Sequence, residues 1–297
     1  MDALDYEFMQ RALVAAVLVG LAAPSVGVHL VQRRLALIGD GHTGEGHVTE
    51  AVAGVAVGVL TSNQPVWTAL VAAVAGAVAI ELIRARGRTS GDVALAVLFY
   101  GGIAGGVVII SQAPGGTPSN LNAYLFGAIT TTSSSDLVTF TVLTAAVLAV
   151  TIGLGRYLRV VSDDEEYAIA SGLPVLGLNL LLATMTAVTV VVSMRVVGLL
   201  LISALMIVPI ATAQLLAHSF RGTVVVGTLV AVSSAVAGVL TSFSADTPSG
   251  GTIVLFAIGV FVVVAAGTAL RDRAGGRSAG ARPPERTSAL GTSGLSD

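Results

Sequence analysis

Apolar residues run along this chain in long blocks, without the alternation of a half-buried strand or the stripe of a surface helix. Nine windows, at about 13–32, 48–62 (or from near 37), 66–83, 93–111, 137–155, 174–194, 196–217, 222–243 and 251–270, come near the ~20 residues that an α-helix needs to cross a bilayer. Turn-forming residues punctuate them. Asn63-Gln64-Pro65 divides the second window from the third, Pro114-Gly115-Gly116 with Pro118 follows the fourth, and Asp246-Thr247-Pro248-Ser249-Gly250-Gly251 precedes the ninth. The amphiphilic stretch 121–132 predicts an interfacial helix or a re-entrant turn. The pattern therefore predicts an all-α polytopic membrane protein with nine transmembrane helices, or eight if one segment lies in the interface. Outer-membrane barrels are excluded, because their strands alternate rather than run.

Composition sharpens this picture. Of 297 residues, 54% are hydrophobic and only 11% charged, against roughly 25% charged in a soluble domain, and the mean hydropathy is +0.89. The net charge of −2 holds no basic surplus for nucleic acid, which is not expected as a partner, and the 35 glycines suit close helix packing in lipid. With no cysteine, a metal ion would have to be held by histidine, carboxylate or backbone oxygen. All 15 basic residues are arginine. The lack of lysine removes the Walker phosphate loop and Schiff-base chemistry, so any ATP-driven step would draw on another chain. There is no HExxH pattern, and no serine stands in an evident catalytic context, so the chain is not expected to be an enzyme; an intramembrane hydrolase is the rival of that class.

Arginine placement sets an orientation. With the N-terminus outside and nine crossings, 13 arginines lie inside and only Arg11 and Arg195 outside, as the positive-inside rule requires. Residues 1–12 then form an extracellular segment, 13–270 the transmembrane domain, and 271–297, rich in Gly, Ser, Arg and Pro, a disordered cytoplasmic tail. The start, Met1-Asp2-Ala3-Leu4-Asp5, lacks the basic region of a signal sequence. A multi-pass protein of the cell membrane is expected.

Three features exceed what a membrane scaffold needs. The first is the polar run Gly39-Asp40-Gly41-His42-Thr43-Gly44-Glu45-Gly46-His47-Val48-Thr49-Glu50, which leads straight into an apolar stretch. Ionisable groups inside a membrane persist when they pair or bind ions. On a helix Asp40 and His47 lie about 20° apart and His47 and Glu50 about 60° apart, so these three share a face. His42 joins them if Gly41, Gly44 and Gly46 break the helix. Imidazole with carboxylate suits Zn²⁺ or Mn²⁺. The alternative is a solvated loop in which Asp40 caps the next helix.

The second feature is Ser162-Asp163-Asp164-Glu165-Glu166-Tyr167-Ala168-Ile169-Ala170-Ser171-Gly172-Leu173-Pro174. Acidic residues in its first turn and Gly then Pro at its end predict a short capped surface helix over 162–173. Its small residues would admit a partner, with Tyr167 and Leu173 as anchors, or it is an ordinary inter-span helix. The third is the run from Met194 to Ala213, whose small residues and Pro209 predict a tightly packed, kinked helix. Glu81 and Arg84 are spaced as an i,i+3 pair. His29 stands out as a histidine within an apolar run.

In this order the features resemble the permease of metal-type ABC importers, the zinc, manganese and iron uptake family, from about Phe8 to Ala269. The resemblance rests on Phe8-Met9-Gln10-Arg11-Ala12-Leu13, Gly27-Val28-His29-Leu30-Val31-Gln32-Arg33-Arg34, Leu37-Ile38-Gly39-Asp40, Asp164-Glu165-Glu166-Tyr167-Ala168 through Gly172-Leu173-Pro174, Val197-Gly198-Leu199-Leu200-Leu201 through Pro209, and Pro248-Ser249-Gly250. It implies an ABC importer permease bundle that moves zinc or manganese into the cell. It also implies a homodimer, two cytoplasmic ATP-binding subunits and an extracellular metal-binding protein as partners within the lipid bilayer. No cofactor would be permanently bound, the Zn²⁺ or Mn²⁺ being cargo. Asp164, Glu165, Glu166, Tyr167, Ala168 and Gly172 would form the helix that couples to the ATPase, and Asp40 would be a metal ligand. The family places a histidine four residues after that aspartate, where this chain has Gly44, and His47 looks like the displaced histidine, with His42 and Glu50 as substitutes. Rival readings are a permease for chelated iron or a corrinoid, and a non-transporting membrane subunit.

Overall fold

The computed structural model describes residues 6–36, 65–86 and 132–279, together with helical positions 100, 101, 104, 105 and 108. Among these residues every regular element is an α-helix. In chain order they are α1 (Glu7–Ala36), α2 (Pro65–Ala85), α3 (Ser134–Gly153), α4 (Gly155–Asp163), α5 (Glu165–Ala170), α6 (Val175–Val197), α7 (Leu199–Leu216), α8 (Phe220–Ala245) and α9 (Ser249–Ala279). Six of them, α1, α2, α3, α6, α8 and α9, are long and apolar enough to cross a membrane, and α7 is a shorter apolar helix. These seven match seven of the nine expected windows. The window at 48–62 and the stretch at 121–131 lie outside the described residues, as does most of 93–111.

Local chemistry explains the helix ends. Glu7 sits in the first turn of α1, where a negative charge suits the helix dipole, and it pairs with Arg11 one turn on. Ser133 and Asp136 form a reciprocal capping box on α3, and the Ser219 hydroxyl caps α8 by accepting from the Gly222 N–H. Gly198, with φ +86°, interrupts what would otherwise be one helix from α6 into α7, a backbone angle that L side chains rarely adopt. The windows at 174–194 and 196–217 are thus separated by that one residue. α9 runs on to Ala279, past the edge at 270 expected for the transmembrane domain; residues beyond Ala279 lie outside the described set.

Helix α1 is the centre of the bundle and packs against α3, α4, α6, α7 and α8. Met9, Ala12, Ala15, Ala16, Val19, Ala23 and Val26 are all buried along it, so it is enclosed on nearly every side. Small residues permit this closeness. At Gly27 an added Cβ would stand 2.0 Å from the Met206 carbonyl oxygen of α7, and at Gly238 of α8 it would stand 2.6 Å from the Ile253 Cα of α9. By contrast α9 is mostly exposed, with Leu255 and Val263 on its open apolar face, as expected of a helix that meets lipid. Hydroxyls within the bundle bond to nearby backbone: Thr186 donates to the Leu182 carbonyl at 2.8 Å and Thr212 to that of Val208 at 2.8 Å. Thr144 on α3 donates across to the Leu18 carbonyl of α1 at 3.3 Å. No polar group then needs water at these points.

Candidate functional site

The proposed metal set, Asp40, His42, His47 and Glu50, lies outside the described residues. What the structure describes is the acidic helix and the groups that hold it. The helix expected over 162–173 is narrower and splits from its predecessor: Ser162 and Asp163 close α4, and α5 covers Glu165–Ala170. The reason is local. Asp164 is extended, with φ −151° and ψ 103°, and its carboxylate accepts from the Tyr167 N–H at 2.9 Å, which starts a new helix instead of continuing the old one.

The far end is closed by a Schellman motif. The Leu173 N–H donates to the Ala168 carbonyl at 3.1 Å, and the Gly172 N–H to that of Ile169 at 3.0 Å, with Gly172 at φ +76°. A side chain at Gly172 would meet no neighbour, so only its backbone angle opposes substitution. Gly172→Ala is expected to lower stability by about 1 kcal/mol, read as a small fall in the thermal unfolding midpoint, with the chain still inserted and folded.

Six residues then present two faces. Glu166, Tyr167, Ile169 and Ala170 are exposed, Tyr167 and Ile169 by 63% and 60%. Ala168 turns inward and is fully buried, so it packs α5 onto the bundle and offers nothing to a partner. Leu173, expected as an anchor, is half-buried against the core. Ile169, not Leu173, is the exposed apolar residue beside Tyr167, and no sequence signal distinguished the two, because both follow small residues.

Glu165 is half-buried and does not stand alone. Its carboxylate pairs with Arg84, at the end of α2, and accepts from the Asn179 amide of α6 at 3.3 Å. Arg84 also reaches Glu81 one turn back, at 3.9 Å. The i,i+3 pair expected from sequence is therefore present, but as the long arm of a cluster whose closer carboxylate belongs to α5. Glu81 is 7% exposed, deep for an ionisable group, and this guanidinium supplies it with positive charge. Arg84 thus joins α2, α5 and α6 at one point.

A second polar feature lies at the same end of the bundle. His29, 2% exposed on α1, packs its ring 5.6 Å from that of Phe220, and the Arg159 guanidinium of α4 lies 3.9 Å over the Phe220 ring. These residues border a cavity of about 530 Å³ that also receives Arg156 and Arg221. Burial pushes the Asp163 carboxyl above its ordinary pKa range, and the positive charge of Arg159 works against that rise. Among the described residues no cluster of three His, Asp or Glu side chains could hold a metal ion.

An all-helical, multi-pass bundle whose arginine-bearing end carries a short, doubly capped, partly apolar helix has the layout of an ABC importer permease. The chain belongs to the ABC 3 transport family, which it matches over residues 5–268. It is 31% identical to the manganese transport system membrane protein MntC of Halalkalibacterium halodurans, over 88% of this chain and 87% of that one. It is also 31% identical to the chelated iron transport system membrane protein YfeD of Yersinia pestis, over 87% and 84% of the two chains. Among solved structures it is similar to PsaBC from Streptococcus pneumoniae in complex with Fab, with a TM-score of 0.75 and 27% identity, covering 88% of this chain and 92% of that one. The resemblance read from sequence motifs is thereby established, and the chain is a multi-pass membrane protein of this family.

Proposed function

We propose that this chain is the permease of an ABC importer that carries a divalent transition metal, zinc or manganese, into the cell. The observation that carries the reading is the family match across almost the whole chain, and the construction of α5 supports it. ATP would be hydrolysed by separate cytoplasmic subunits, two copies of this chain would enclose the path, and an extracellular metal-binding protein would deliver the ion. Asp40 and His47 hold the ion transiently in this reading, with His42 and Glu50 completing its shell. Binding has to be weak enough for release. Imidazole favours zinc and carboxylate favours manganese, and the Halalkalibacterium halodurans relative adds weight to manganese.

Coupling runs through α5. The exposed Glu166, Tyr167 and Ile169 dock on the ATPase, and motion of α5 passes to α2 and α6 through Glu165, Arg84 and Asn179. The Yersinia pestis relative favours a second reading, in which iron is the cargo.

Uptake of radioactive manganese, zinc and iron by vesicles holding the assembled transporter tests these readings. Manganese or zinc should enter in an ATP-dependent manner, and Asp40→Ala or His47→Ala should abolish entry at unchanged membrane abundance. Undiminished entry in both variants removes these residues from the path, and uptake of iron alone selects the second reading.

A further inference from the structure

The cavity beside His29 is unlike a metal site. One end is lined by Arg156, Arg159 and Arg221, and among the described residues no carboxylate lines it. The three arginines come from α4 and α8, and among the described residues none of them forms an ion pair. The Arg159 Nε is buried without a hydrogen-bond partner. Asp163, one turn on, acts on Arg159 through its charge but does not pair with it. Arg156 and Arg221 are exposed and partly screened by water, but the buried Arg159 donor without an acceptor is costly and an anion at this end would satisfy it.

Chain direction sorts the lining. α3 runs through Leu148 and Ile152 before α4 brings Arg156 and Arg159, while α8 begins at Phe220 and Arg221 and proceeds inward to Val224 and Val225. Both elements thus place cations toward the membrane surface and apolar side chains below them. Ile152 and Val225 are 78% and 58% exposed, so the lower wall opens sideways onto an apolar surface. A free phosphate would need only the arginines. A cationic rim above an apolar wall that opens to the bilayer matches a molecule with both parts.

We propose that this cavity binds an anionic phospholipid, its phosphodiester held by Arg156, Arg159 and Arg221 and an acyl chain laid along Ile152 and Val225. The arginine bias puts this end on the cytoplasmic side, where basic pockets between spans meet anionic headgroups. The lipid would bridge α4 to α8 and so steady the segment that leads into α5.

The test is native mass spectrometry of the full-length chain in detergent, titrated with dioleoyl phosphatidylglycerol, dioleoyl phosphatidylcholine or inorganic phosphate. Phosphatidylglycerol should bind in preference to phosphatidylcholine. Arg156→Gln and Arg221→Gln should each weaken it about fivefold. Ile152→Trp, which blocks the apolar mouth without changing charge, should also weaken it. Arg86→Gln and Arg271→Gln, at exposed arginines that do not line the cavity, should leave it unchanged. Equal binding of the two lipids overturns the proposal, and so does an Arg271→Gln loss as large as that of Arg221→Gln. Binding of inorganic phosphate with no lipid preference assigns the site to a soluble anion and likewise overturns it. A thermal unfolding midpoint matched to wild type shows that a variant's loss does not come from misfolding, and Arg156, exposed on α4, is the position that meets this condition most readily.

Discussion

Gly27→Ala is expected to remove most folded protein from the membrane. The new methyl carbon would stand 2.0 Å from the Met206 carbonyl oxygen and 2.8 Å from its carbon, so it meets backbone rather than a side chain that could rotate away. Overpacking a core usually costs about 1–3 kcal/mol. Here α1 and α7 must separate along their contact, and the cost should reach or pass the top of that range. α1 is the central helix, so a shift there is felt by α3, α4, α6 and α8 as well. Against a total stability of about 5–15 kcal/mol, this is a large fraction. Size-exclusion chromatography of the solubilised, fluorescently tagged chain measures it. Gly177→Ala is the matched control, since a Cβ there meets nothing within 4 Å. Wild-type yield and unfolding temperature in Gly27→Ala would mean that the two helices do not touch as described.

Arg84→Ala is expected to have the second-largest effect, and to harm coupling more than folding. It strips positive charge from Glu165 on α5 and from the buried Glu81 on α2. Breaking a fully buried pair costs about 3–5 kcal/mol. The Arg84 side chain keeps 23% of its exposure and that of Glu165 keeps 38%, so water screens part of the loss and about 2 kcal/mol is expected. The functional result should exceed this. With α5 detached from α2, ATP hydrolysis in the assembled transporter should continue while metal entry falls at least tenfold. Arg84→Lys should restore part of the entry, because it returns the charge without the planar fork. Equal loss of hydrolysis and entry would reduce Arg84 to a role in folding alone.

These two residues also mark what was legible along the chain. Arg84 and Glu81 are three apart and could be paired from their spacing. Glu165 lies 81 residues from Arg84, and no local rule connects them. Gly27 and Gly177 are both glycines in apolar runs; only the placement of α7 makes one indispensable and leaves the other in open space. The acidic helix was foreseen because its caps, Asp164 and Gly172, act within one or two turns of themselves. Its inner and outer faces were not foreseen, and Ala168 proved to be packing while Ile169 proved to be surface.

By itself the amino-acid order settled the membrane setting, the helical class, most span positions, the presence of a capped acidic helix though not its break at Asp164, and the family resemblance, because each depends on apolar length or on groups a few residues apart. Which helix lies at the centre was left to the tertiary structure. In a bilayer the lipid-facing and the buried sides of a span are equally apolar, so α1 and α9 look alike as strings of letters although one is enclosed and the other exposed. The tertiary structure likewise decided that Arg84 serves α5, and that Arg156, Arg159 and Arg221 meet around one cavity. Such gatherings depend on helices crossing at a distance, and a residue carries no mark of the partner that packing will bring to it.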